Sequence, residues 1–210
     1  MNHKRSLVRR TAAVAAAGAA ALVLAACGGN GDSSAGHDGH SKESPSASAS
    51  ASSQGQQNAA DVAFAKGMIP HHRQAVEMAD LAPSRAESAE VKKLAEDIKK
   101  AQDPEIKTLS GWLTSWGEEV PTEGAMDHSA HGADGGMMTP EEMDQLKNSS
   151  GKAFDTAFME MMIKHHEGAV AMAKTEQADG AYAPAKKMAG AIITSQTAEI
   201  TQMNKLLGKN

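Results

Sequence analysis

The sequence predicts an all-α fold, a four-helix bundle built from two copies of one helical hairpin. Three observations carry this. Residues 61–80 (DVAFAKGMIPHHRQAVEMAD) and residues 155–174 (DTAFMEMMIKHHEGAVAMAK) match at 11 of 20 positions at a constant offset of 94. The apolar residues of each copy recur at helical spacing. No stretch combines strand alternation with hairpin turn chemistry.

The offset runs on without a gap. Ala95, Ile98, Gln102, Glu105, Ile106 and Leu113 fall on Ala189, Ile192, Gln196, Glu199, Ile200 and Leu207. Each copy is therefore two helices and a short connection, and two such hairpins make a four-helix bundle. In the first helix Phe64, Met68, His71, Ala75 and Met78 share one face. In the second, Val91, Ala95, Ile98, Gln102, Ile106, Leu109 and Leu113 do the same. Pro83 and Ser84 are expected to break the first pair of helices, Gly180 and Pro184 the second. Pro70 either kinks the first helix or marks where it begins. Trp112 and Trp116 close the second helix, as packing residues or as a docking patch.

The bundle occupies residues 59–208, with the first repeat at 59–116, a connecting region at 117–150 and the second repeat at 151–208. In the connection, Gly124 to Met138 reads as loop. Thr139-Pro140-Glu141-Glu142 reads as an N-cap, a first-turn proline and first-turn acids, opening a short helix that ends near Asn148.

The segment ahead of the bundle has a different character. Lys4, Arg5, Arg9 and Arg10 precede an apolar run that ends Leu24-Ala25-Ala26-Cys27. Basic, apolar and small residues in that order form an export signal over residues 1–26. The run is short for a membrane span, which needs about 20 residues. Cys27 is the only cysteine, so no internal disulfide can form. Leu-Ala-Ala-Cys resembles the bacterial lipobox, which implies lipidation of Cys27 and anchoring on the outer face of the membrane. Arg9-Arg10 leaves the general and the twin-arginine export routes both open. Residues 27–58, rich in Gly, Ser and Ala, read as a disordered tether.

Charge and composition exclude other roles. The chain carries a formal charge of −5, and its signal removes four basic residues and no acidic ones, so the mature surface is acidic. That argues against nucleic acid, which needs a basic footprint. Aromatics at 3% leave no base-stacking platform. Methionine is abundant, with 13 in the chain.

The candidate chemistry lies in Met-x-x-His-His with a second Met seven residues after the first His. Met68, His71 and Met78 point within roughly 80° of each other, with His72 on the flank. Met162, His165, His166 and Met172 repeat the set. Thioether with imidazole favours Cu(I), while imidazole also serves Cu(II), zinc or nickel. One copy alone would be ordinary core packing, since Met fills gaps in helical cores. A His in a bundle core costs stability unless paired, and that cost is met twice here, which points to metal ligation. Gln102 and Gln196, with Glu105 and Glu199 one turn on, are candidates to hold the far nitrogens of ligating His residues. For the two amides an interhelical hydrogen bond that fixes register is the alternative. Asp61 and Asp155 either cap helix starts or orient His. A looser site could form from Met126, His128, His131, Met137 and Met138, and His37 and His40 lie in the tether.

These residues resemble the family called domain of unknown function 305, whose fold is ferritin-like and whose exported members bind copper. The resemblance rests on Phe64, Met68-Ile69, His71-His72, Ala75-Val76 and Met78-Ala79, on their second copy from Phe158 to Ala173, and on Gln-x-x-Glu-Ile at Gln102–Ile106 and Gln196–Ile200. It implies copper sequestration, tolerance or delivery outside the membrane and no enzymatic activity. Two other functions compete. A di-metal oxidase needs Glu-x-x-His on two helices, but Met68 and Met162 stand where those Glu residues would be. A structural or partner-binding bundle would use the His pairs as core polar residues only.

Overall fold

The computed structural model describes residues 56–122 and 135–209. The signal, Cys27, nearly all of the tether, and Met126, His128 and His131 lie outside the described residues. Five helices form in order: α1 (Ala59–Arg85), α2 (Ala89–Ser115), α3 (Pro140–Asn148), α4 (Gly151–Asp179) and α5 (Ala183–Leu206). Among the described residues there is no strand, and no helix is long and apolar enough to cross a membrane.

Local sequence sets most helix ends. Asn58 caps α1 by accepting from the N–H groups of Ala60 and Asp61, while Asp61 Oδ2 accepts from Asn58 N at 2.6 Å. Ser88 caps α2. Thr139 and Glu142 form a reciprocal capping box at α3 with Pro140 in the first turn. Each box satisfies N–H groups that the helix itself leaves without a partner.

Proline behaves differently from the sequence expectation. Pro70 lies inside α1, which has begun eleven residues earlier at Ala59, so it does not mark the helix start. Pro83 and Ser84 do not break the hairpin either. The helix continues to Arg85, and the turn falls at Ala86–Ser88. Pro83 is exposed in the last turn, where a proline forfeits one backbone bond at a fraying end, and Ser84 Oγ donates to Leu81 O.

Packing follows the repeat. Helix α1 packs on α2, α4 on α5, and α1 on α4. Helices α1 and α4 run antiparallel: Asn58 Nδ2, at the start of α1, donates to Asp179 O at the end of α4. All four long helices contribute to two apolar clusters. One gathers Ala75, Met78, Val91, Leu94, Ile98, Phe154, Phe158, Met162 and Met203 with Met138, Met143 and Leu146 from the connection. The other gathers Phe64, Met68, Ile69, Leu109, Leu113, Ala169, Ala173, Ala185, Ala189 and Ile192. Beside the second cluster, Trp112 and Trp116 stack at 6.1 Å and both meet Tyr182 edge-on. The two tryptophans are thus half-buried packing residues.

The acids at the repeat starts close the opposite hairpin. Asp61 accepts from the N–H groups of Ala181 and Tyr182, in the turn between α4 and α5. Asp155 accepts from Glu87 and Ser88, in the turn between α1 and α2. These capping contacts occupy both carboxylates, and neither orients a His. At one matching buried position of the two junctions, Glu176 takes the place of Ala82. Burial, then the hydrogen bond and charge of Asp61, push the Glu176 carboxyl up to about 8, with Lys186 opposing. Burial acts to raise Asp61 too, but the hydrogen bonds from Asn58, Glu176, Tyr182 and Ala181 outweigh it and hold that carboxyl below its usual value. Glu176 is therefore the protonated partner at neutral pH.

A carboxyl raised by folding binds its proton longer in the native state than in the unfolded chain. Stability then falls as pH rises from the ordinary Glu value to about 8 and levels off above it. Glu176→Gln keeps the shape and removes the ionisation. Urea midpoints between pH 6.5 and 9 should decline for the native chain and stay flat for this variant; parallel curves would mean that Glu176 does not titrate there.

Candidate metal centre

Between the two apolar clusters, at mid-height of all four long helices, lies a polar layer. Met68, His71, His72, Met162, His165 and His166 are all buried, and His72, His165 and His166 have no exposure. His72 leaves the flank that the helical wheel gave it and faces inward. The α1 and α4 rings meet, with His71 and His165 centroids 3.7 Å apart and tilted by 42°.

Glutamate, and not glutamine, takes the flanking imidazoles. His72 Nε2 lies 2.7 Å from Glu105 Oε2, and His166 Nε2 lies 2.6 Å from Glu199 Oε2. A carboxylate only accepts, so each ring donates from Nε2. The Nδ1 atoms of both rings are buried and have no partner, as are both ring nitrogens of His165. Gln102 and Gln196 are buried in the same layer, and their Oε1 atoms also lack a donor. Neither amide oxygen therefore accepts from a His ring or makes an interhelical bond.

Burial holds His165 well below the ordinary histidine range, helped by the charges His71, His166 and His72 would carry. The ring is neutral at physiological pH.

The thioethers divide. Met68 and Met162 lie one turn from the first His of their copies, about 4.5 Å along the axis. Met78 and Met172 lie two turns beyond it, about 10.5 Å. Met68 and Met78 fall in different clusters, so the four ligands proposed for one copy do not converge. The groupings cross the repeats: Met78 packs with Met162, and half-buried Met172 lies against the cluster that holds Met68. Met138 sits in the core at 2% exposure and is not a free loop ligand, while Met137 is half-buried. Among the described residues no three His, Cys, Asp or Glu side chains are placed to hold one metal ion. Any site assembled here needs sulfur or amide oxygen beside imidazole.

The sequence matches the family described as Domain of unknown function (DUF305) over residues 61–207. The chain belongs to the DUF305 family. A DUF305 protein from Streptomyces coelicolor is 33% identical, with 71% of this chain and 91% of that one covered at a TM-score of 0.64. A DUF305 fragment from Deinococcus radiodurans is 27% identical, with coverage of 73% and 98% and a TM-score of 0.64. CopM in its Cu(I)-bound and Cu(II)-bound forms is 34% identical, covering 70% of this chain and 94% of that one at TM-scores of 0.57 and 0.60. No protein of curated function matches significantly.

The depressed His165 has a measurable consequence. Below the ordinary histidine value the unfolded chain takes up a proton that native His165 refuses, so stability falls as pH drops below about 6.5 and is fully present above it. His165→Gln should flatten the dependence of the urea midpoint between pH 5 and 6.5. An unaltered slope would assign the acid sensitivity to other groups.

Proposed function

We propose that this DUF305 protein captures copper, Cu(I) first, at the polar layer, and sequesters or passes on the ion without chemical turnover. The observation that carries this reading is the set of buried, unpartnered ring nitrogens: Nδ1 of His72 and of His166, and both nitrogens of His165. Each buried polar group left without a partner costs about 1–3 kcal/mol. A bound metal would recover that cost. His71, His72, His165 and His166 would supply imidazole, and Met68 and Met162 the nearest thioethers. Glu105 and Glu199 would hold the far nitrogens of His72 and His166, as outer partners of ligating His residues commonly do. Thioether donors favour Cu(I) over hard cations, with Cu(II) and zinc as weaker fits. Met78 and Met172 would take part only as more distant donors.

The likeness to CopM supports copper as cargo, since CopM was solved with Cu(I), Cu(II) and silver. The signal pattern at residues 1–26 and the lipobox-like Leu-Ala-Ala-Cys at Cys27 support a site of action on the outer face of the membrane. Met126, His128 and His131 would add a second set of soft donors.

The test is competition for Cu(I) against a chelator. Cys27→Ser is the starting chain, because a free thiol would bind Cu(I) by itself. His71→Ala with His165→Ala should abolish tight binding while far-UV circular dichroism remains helical. Glu105→Gln with Glu199→Gln should weaken it by about 10–100-fold. Unchanged affinity in a folded double-His variant would remove the layer as the copper site.

A further inference from the structure

Among the buried positions at which the two copies differ, one bears on the polar layer. Gln74 in the first corresponds to Gly168 in the second. Both residues serve the same stretch of main chain, Gly135–Met138. Gln74 is 2% exposed, and its amide takes both backbone groups of Met138: Nε2 donates to Met138 O at 2.9 Å, and Oε1 accepts from Met138 N at 2.7 Å. Gly168 acts by lacking a side chain. A Cβ there would collide with Gly135 O and the Gly136 backbone. Gly136 is equally constrained, with φ of 75° and its own would-be Cβ against Lys164 O. One helix thus grips the segment and the other is hollowed to receive it.

The segment meets the polar layer at one atom. Gly135 O lies 3.1 Å from His71 Nε2. A carbonyl only accepts, so His71 must carry its proton on Nε2. His165, the equivalent ring, has no such contact at Nε2.

We propose that Gly135–Met138 is a built-in clamp that holds His71 in the Nε2–H tautomer and makes Nδ1 its metal-binding atom, with Gln74 as the positioning residue. The metal half of this inference rests on the copper reading above; the tautomer half does not. The clamp does for His71 what Glu105 and Glu199 do for His72 and His166, using main chain in place of a carboxylate. It leaves His165 as the one ring of the layer that is partnered by neither a carboxylate nor the clamp. The two halves of a duplicated site then work unequally: the tautomer of His71 is preset by the clamp, and that of His165 is not.

Imidazole nitrogen NMR of the full chain carrying Cys27→Ser, at pH 8 and with silver(I) as a diamagnetic probe, tests both halves. The apo chain should show a pyrrole-type Nε2 on His71 with a slowly exchanging proton, and silver should shift its Nδ1 while Nε2–H persists. In Gln74→Leu the Nε2–H proton should exchange faster by about tenfold or more, on the scale of losing a partner that orients a ligand, and silver should pass faster to a competing thioether chelator. Gly168→Ala attacks the same segment from the other helix and should act alike, so neither result depends on one variant folding. A proton on Nδ1 of His71 in the apo chain, or unchanged exchange and release in both folded variants, would overturn the clamp. A pyrrole-type Nε2 that silver leaves untouched at Nδ1 would overturn the metal half and the copper reading, and would leave the clamp as a structural device.

Discussion

Everything in this bundle is arranged around one constraint: imidazole rings buried between two apolar clusters must have acceptors for their N–H groups. Water does not reach His72 or His166, so each needs a partner delivered from a neighbouring helix. Glu105 and Glu199 provide it, and in both copies the carboxylate stands 33 residues after its His. That identical separation ties the layer to the hairpin turns. Lengthening a turn by one residue would rotate the second helix by about 100° and carry the carboxylate away from the ring. The Ala86–Ser88 turn is therefore part of the site's geometry, although it lies far from it.

The same logic joins the hairpins to each other. Asp61 opens the first repeat and caps the turn of the second, and Asp155 does the reverse. Each hairpin completes its partner's backbone hydrogen bonding, so neither is finished alone. The α1–α4 contact that brings His71 onto His165 is locked at both ends by these exchanged caps. Helices α1 and α4 pack on each other, α2 and α5 flank them, and the polar layer spans all four.

The fold was readable because duplication gave each of the long helices twice. Periodicity assigned the helices, Thr139-Pro140 opened the short one, and the constant offset showed that each copy is a hairpin. Pro83 misled because a terminal proline costs little where the helix already frays. The core His and Met residues were readable as a face, but their grouping was not. A ten-residue spacing looks compact on a helical wheel and spans about 15 Å along the axis, which is why Met68 and Met78 part company. Choosing glutamate over glutamine as the imidazole partner needed three dimensions. Gln102 lies on the core face, whereas Glu105 sits at its edge with a side chain 22% exposed and reaches in. Contacts across more than 60 residues, such as Gln74 with Met138 or Asp61 with Tyr182, leave no local pattern at all.

Methionine abundance looks different once the clusters are known. One apolar cluster contains Met78, Met138, Met143, Met159, Met162 and Met203, whereas the other has Met68 alone among its fully buried members. The Met-rich half is also where the symmetry breaks, since it must take in α3 through Met143 and Leu146 and the end of the clamp through Met138. A duplicated bundle asked to house an unduplicated segment is left with irregular space on that side. Unbranched, polarisable thioether chains fill such space better than Leu or Ile, whose shapes demand a matched partner. Much of the methionine content is therefore explained by packing against an asymmetric insert. That narrows the case for metal to the sulfurs one turn from the rings and to the ring nitrogens themselves, where packing offers no account of the buried atoms left without a partner.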